Sequence, residues 1–230
     1  KLLAAPGDAV LVPAPSYPLL DALAGLEGVE LVRYRLPEED RWAAHAGPVE
    51  EAADRAAAAG RRVAAAILVN PNNPTGTSVS REELDALAAL AARRGFAIVS
   101  DEVFLDYRFA DRPGDVRVAA GSAGEALVFS LGGLSKSAAL PQLKLGWILA
   151  NGPAALLSEA LERLSWIADS FLSVGTPVQI ALPGLLDRGE EAAAALRARV
   201  LANHAALVSA LATLPEATVA PLAGGWSAVV

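Results

Sequence analysis

Cysteine is absent from this 230-residue chain, which excludes a disulfide framework, a thiolate nucleophile and a cysteine-ligated zinc. Histidine is scarce: His45 and His204 are too few and too far apart in sequence to suggest a metal site, so metal catalysis is not expected. There is no uninterrupted apolar stretch of about 18 residues and no basic leader ahead of an apolar segment, so no membrane span or secretory signal is visible. A cytoplasmic protein is the default expectation. Basic residues are outnumbered, 19 Lys and Arg against 26 Asp and Glu, giving a formal charge of −7. Nucleic-acid binding needs clustered cations to neutralise phosphates, and this balance argues against it.

What is present is apolar and well punctuated. Hydrophobic residues make up 53% of the chain, and 15 prolines and 19 glycines are spread along it, a pattern of globular and not of low-complexity sequence. Both ends read as interrupted. Residues 1–7 look like the last turn of a helix and its stop signal, and the chain finishes inside the apolar run Ala228-Val229-Val230, so further sequence is expected on both sides.

Short runs rich in Val, Ile and Leu alternate with segments of helical period, the pattern of βα units around a mainly parallel sheet covered by helices on both faces, a three-layer αβα fold of the α/β class. Strands are predicted at 9–12, 29–35, 63–69, 96–100, 126–130 and 146–150. Helices are predicted at 18–26, 48–59, 80–94, 154–167 and 178–186. The clearest is 80–94, where Ser80 and Glu83 form a capping box, Leu84, Leu87, Leu90 and Ala91 make an apolar stripe, and Arg93-Arg94-Gly95 is a stop. A longer Ala-rich helix follows from Glu190 to about Thr213, then a strand at 225–230. A domain boundary is expected near Gly189. Trp147 and Trp166 read as core residues.

Ligands of open α/β sheets collect beyond the carboxyl ends of the strands, which directs attention to four places. The run 67–69 ends in Asn70-Pro71-Asn72-Asn73-Pro74-Thr75-Gly76; the run 96–100 ends in Asp101-Glu102; 126–130 is followed by Gly132-Gly133-Leu134-Ser135-Lys136; and Lys144 enters the apolar run 146–150. Each has a plain structural reading, as a rigid turn, a helix cap or a solvated charge. Together they match what pyridoxal phosphate requires. A partly buried carboxylate, Asp101, favours a protonated pyridine nitrogen; a lysine, Lys136, offers an amine to the aldehyde; the Asn73 amide reaches the ring hydroxyl; Ser135 and Lys144 are available to the phosphate. A lysine entering an apolar strand, as Lys144 is expected to, would need an anion.

In this set and order the chain resembles the fold-type I aminotransferases, the class I/II family that includes aspartate aminotransferase, over essentially its whole length. Asn73-Pro74-Thr75-Gly76 stands where that family has N-P-T-G, Ser100-Asp101-Glu102 where it has S-D-E, Leu134-Ser135-Lys136 within its S-x-S-K, and Lys144-Leu145-Gly146 at its R-x-G. The resemblance implies that Lys136 forms the internal aldimine and carries the proton between substrate and cofactor. It implies that Asp101 pairs with the pyridine nitrogen, Asn73 with the ring hydroxyl, and that Tyr17 stacks on the cofactor. Three departures stand out. Phe104 replaces the usual tyrosine, with Tyr107 nearby; Gly133 replaces a phosphate-binding serine, for which Ser130 or a backbone N–H is the substitute; and Lys144 replaces arginine, a point charge in place of a planar fork.

The resemblance further implies a large cofactor domain over 1–189, missing its N-terminal part, and at 190–230 an interdomain helix and the start of a smaller α+β domain. The rest of the phosphate-binding loop would lie upstream of Lys1 and a substrate-carboxylate arginine downstream of Val230, so these 230 residues alone are expected to be inactive. The implied activity is amino transfer between an amino acid and a 2-oxo acid, in a homodimer whose partner-facing turn is placed at 173–177. A lyase or decarboxylase using the same cofactor, and a cofactor-binding effector domain of a transcriptional regulator, are the alternatives.

Overall fold

In the computed structural model, which describes residues 1–109, 114–122, 124–214 and 216–230, the predicted alternation folds into one six-stranded sheet. Its strands are β1 (Ala9–Ala14), β2 (Glu30–Arg35), β3 (Val63–Val69), β4 (Ala97–Asp101), β5 (Val128–Gly133) and β6 (Gly146–Asn151). The order is β2-β1-β3-β4-β5-β6, parallel throughout except for β6, which runs against β5. The helices are α1 (Leu19–Glu27), α2 (Ala46–Ala58), α3 (Arg81–Arg94), α4 (Leu134–Ser137), α5 (Ala154–Ser170) and α6 (Thr176–Leu211).

The central strands are apolar because both of their faces are covered. On one face Leu11, Ala66, Leu68, Ile98 and Val128 pack against Val49, Ala52 and Ala53 of α2 and Leu84, Leu87 and Leu90 of α3. Tyr34 is buried in this core, where its hydroxyl donates to the Ile67 carbonyl at 2.6 Å and so keeps its polar end satisfied. On the other face Ala97 and Phe129 meet Ala160 of α5, with Leu2, Leu3 and Leu164 around them. An apolar cavity of about 310 Å³ remains there, between α1 and the strands, lined by Leu20, Leu23, Leu31, Ile67, Val99 and Leu131. Edge strand β2 carries Arg33 and Arg35, charges that discourage further pairing.

Helix α3 starts where the capping box placed it. Ser80 Oγ accepts from the Glu83 N–H at 3.2 Å, and Glu83 Oε2 accepts from the Ser80 N–H at 2.6 Å. Glu83 Oε1 also accepts from the Ala44 N–H at 2.7 Å, tying the cap to the loop before α2. Gly95 closes the helix at φ 72°. Ser80→Ala is expected to cost about 1 kcal/mol of stability, read by urea unfolding, because one N-terminal donor loses its acceptor.

Four expectations are corrected. The predicted pair of helices flanking Gly189 is one 36-residue helix, α6, which passes through both Pro183 and Gly189. Gly189 is there for close packing: a Cβ at that position would lie 2.4 Å from the Ala138 Cβ. Residues 1–5 form no helix; the Ala5 N–H donates to the Asp8 carboxylate at 2.8 Å and Arg62 donates to the Leu3 carbonyl at 3.0 Å, fixing an irregular segment. The strand predicted at 225–230 is also absent, and residues 222–227 run as a strap held to Gly76, Tyr107 and Phe109. Trp166 is 68% exposed: two residues beyond the partly buried Leu164, which packs against the core, it stands about 200° around the helix, on the outer side. Trp147, half-buried, does pack inward, with its ring filling the space that a side chain at Gly132 would occupy.

Candidate active site

Parallel pairing sends the carboxyl ends of β1, β3, β4 and β5 to one rim of the sheet. The register sets Val69 and Leu131 on either side of Asp101, so the turn after β3 and the glycine-rich segment after β5 flank that carboxylate. Because β6 is antiparallel, its first residue, Gly146, pairs with Gly133, and Lys144 reaches the same rim. Chain order thus scatters Tyr17, Asn73, Asp101, Ser135, Lys136 and Lys144, and sheet topology brings the segments that carry them to one rim.

The asparagines of the turn after β3 divide their labour. Asn70 is buried and bridges the turn to its surroundings, donating to the Val116 carbonyl at 3.1 Å and accepting from the Val79 N–H at 3.1 Å. Buried Asn72 donates to Thr75 Oγ1 at 2.8 Å, while its carbonyl accepts from the Gly76 N–H at 2.7 Å. Both therefore help to build the turn, Asn72 through its side-chain N–H and its backbone carbonyl, while its buried Oδ1 has no hydrogen-bond partner among the described residues. Asn73 is half-buried, and its Oδ1 accepts from Ser227 Oγ at 3.3 Å. Gly76, at φ 70°, receives the Ala223 and Gly224 N–H groups on its carbonyl at 2.7 and 3.0 Å. A Cβ there would come within 2.7 Å of the Gly224 oxygen, so only glycine allows the strap so close.

Asp101 ends β4 with little around it to hold a negative charge. Oδ1 accepts from the Val103 N–H at 3.2 Å, and no cation pairs with the carboxylate among the described residues. Burial raises its pKa above the ordinary carboxylate value, an effect that the Val103 hydrogen bond opposes. Tyr17 stands near: burial first, then the Asp101 charge, raises the pKa of its phenol. Glu102 turns to the opposite side of the strand. Its Oε1 accepts from the Ala119 N–H at 2.8 Å and from Ser130 Oγ at 2.9 Å, and burial again raises its pKa. Ser130 also receives the Ala120 N–H at 2.9 Å; being buried and engaged, it is not the phosphate-binding substitute expected of it.

Lys136 lies on the short helix α4, half-buried. Its Nζ is 5.4 Å from the Phe104 ring centroid and 4.4 Å from that of Trp226. The Tyr107 hydroxyl donates to the Lys136 carbonyl at 2.9 Å, so this tyrosine secures the lysine's backbone and does not offer its hydroxyl in place of the residue missing at Phe104. The Ser135 hydroxyl has no hydrogen-bond partner among the described residues. Lys144 departs from expectation: it precedes β6 in a left-handed turn at φ 53° and is exposed, so burial does not demand an anion for it. Trp226 and Ser227 were hidden in an apolar run that reads as a strand, and the one signal that could have exposed them is Gly224-Gly225, which breaks such a run.

A rim that joins a turn asparagine, a strand-end aspartate and a loop lysine can be compared with proteins already known. The family model for aminotransferase class I and II matches residues 1–228. The chain belongs to that family. Among class I and II relatives, an S-alkyl-thiohydroximate lyase of Arabidopsis thaliana is 30% identical over 209 residues, covering 90% of this chain and 43% of its own length. A tyrosine aminotransferase of Bos taurus is 31% identical over 188 residues, 81% of this chain and 40% of that protein. Among solved structures, an alanine aminotransferase from Pyrococcus furiosus superimposes with a TM-score of 0.80 at 27% identity, covering 97% of this chain and 55% of that one. The chain thus spans about half the length of the relatives it matches. The mostly parallel six-stranded sheet with helices on both faces matches the aminotransferase fold, as the superposition shows.

Proposed function

We propose that the whole protein to which this chain belongs is a pyridoxal-phosphate-dependent aminotransferase, passing an amino group from an amino acid to a 2-oxo acid. The observation that carries the reading is Asp101. A half-buried carboxylate whose pKa is raised by burial, and which has no cation beside it, is stabilised by a ligand bearing a positive ring N–H, as a protonated pyridine does. The donor set around it fits the rest of that group: an amide at Asn73, an aromatic ring at Tyr17, a primary amine at Lys136, and Ser135 and Lys144 toward a phosphate.

Pyridoxal phosphate, when bound, supplies an electron sink for the bonds at a substrate's α-carbon. This chain's own residues bind, orient and move protons. Asp101 keeps the proton on the ring nitrogen, and Asn73 directs its amide to the ring hydroxyl. Tyr17, close enough to Asp101 to feel its charge, would cover a ring face with its phenol. Lys136 would offer its amine to the aldehyde, and its Nζ would accept the proton that leaves the substrate's α-carbon. Phe104 has no hydroxyl, so hydrogen bonding at the ring hydroxyl would rest on Asn73.

The reading includes residues 1–189 as the cofactor domain and 190–230 as the start of a smaller one, a homodimer, and a cytoplasmic location. No helix among the described residues is long and apolar enough to cross a membrane. Exposed apolar side chains on α5, α6 and the loop between them, Trp166, Leu172 and Ile180, support a partner surface next to the turn at 173–177.

A second reading has its own support, since one matched relative is a lyase. The two are separated by incubating the whole protein with pyridoxal phosphate and a panel of amino acids, without any 2-oxo acid. Amino transfer predicts stoichiometric pyridoxamine phosphate with at least one of them. Fragmented substrate with no pyridoxamine phosphate would favour the lyase.

A further inference from the structure

Trp226 has no part in the roles above, yet its ring is nearer to the Lys136 amine than that of Phe104, 4.4 against 5.4 Å. Among the described residues no carboxylate pairs with this lysine, and two aromatic rings lie near its amine. The face of an indole ring carries negative potential; it attracts an ammonium and has little hold on a neutral amine.

The ring itself is fixed from two sides. Phe104 meets it edge-on at 5.3 Å and 67°, and Tyr107 at 5.0 Å and 85°. Its backbone belongs to the strap, which is bound to the Gly76 carbonyl through Ala223 and Gly224, to the Tyr107 carbonyl through Gly225, and to the Phe109 N–H through the Ala223 carbonyl. Gly224 sits so close to Tyr107 that a Cβ would lie 2.6 Å from that residue's carbonyl oxygen. The next residue, Ser227, holds Asn73.

We propose that Trp226 is a positioning residue for Lys136: its ring face holds the free ammonium at the rim of the sheet. The strap 222–227 ties that hold to the turn that bears Asn73. The inference deepens the reading of Lys136 as the cofactor's lysine, but its test does not use turnover.

The sequence holds three lysines, at 1, 136 and 144, and exposed Lys144 is an internal reference. The whole protein, freed of cofactor, is treated briefly with the N-hydroxysuccinimide ester of acetic acid at fixed pH, and acetylation at positions 136 and 144 is quantified by peptide mass spectrometry. Acylation consumes the neutral amine, so a ring face that holds the ammonium slows it. Trp226→Leu, which keeps an apolar side chain without a π face, should raise the Lys136 to Lys144 ratio about two- to fivefold. Trp226→Phe, which keeps a weaker face, should raise it less. An unchanged ratio in Trp226→Leu, or an equal rise in both variants, overturns the proposal. A changed ratio in a protein that shows no amino transfer would uphold it while sinking the enzymatic reading.

Discussion

Lys136→Ala is expected to lower amino transfer by at least about 10⁴-fold, because the same amine both engages the cofactor and moves the proton. Its fold should survive. The lysine side chain is half-buried and touches aromatic faces, while the Tyr107 hydroxyl holds the backbone carbonyl, which alanine retains. Lys136→Arg separates charge from chemistry: guanidinium keeps the cation over Trp226 but cannot give up its proton. Both variants should therefore be comparably inactive, with thermal unfolding close to that of the parent. Appreciable turnover by the arginine variant would show that position 136 contributes charge alone.

Asp101→Asn carries the second large effect, and two of its consequences run in opposite directions. Losing a charge-assisted contact to the ring nitrogen should weaken pyridoxal phosphate binding about ten- to a hundredfold, measured by equilibrium dialysis. The cofactor-free protein should instead become more stable at neutral pH. The Asp101 pKa is raised on folding, chiefly by burial, so its favourable contribution is present below the unfolded carboxylate pKa and is lost as pH rises through the folded value. The asparagine variant has no such loss. Glu102, raised in the same direction by burial, leaves part of the pH slope in place. Adding cofactor to the parent should flatten the Asp101 part of that slope, since the carboxylate then has its cation. Cofactor affinity unchanged in Asp101→Asn would remove the aspartate from the site.

The strands, their mainly parallel sheet and the rim were legible because buried parallel strands are read from short apolar runs, and turn residues mark their ends; their order in the sheet was not. Ser80, Glu83 and Gly95 fixed both ends of α3 by local hydrogen bonding alone. What escaped depends on contacts distant in sequence. Gly189 looks like a break until Ala138 is seen against it. Ser130 looks available until Glu102 and Ala120 are seen to occupy it. Trp226 gains its meaning from Lys136, 90 residues earlier in the chain. Side-chain periodicity carries no information about such pairings, and the strap is irregular backbone, which leaves no period to detect.

The central claim is that Lys136 is the residue to which the cofactor attaches. The whole protein is incubated with pyridoxal phosphate, reduced with borohydride, digested and mapped by mass spectrometry. The account predicts one modified site, on the peptide that contains Lys136, and its disappearance in Lys136→Ala. Modification at Lys144 or Lys1 with Lys136 left free would contradict it.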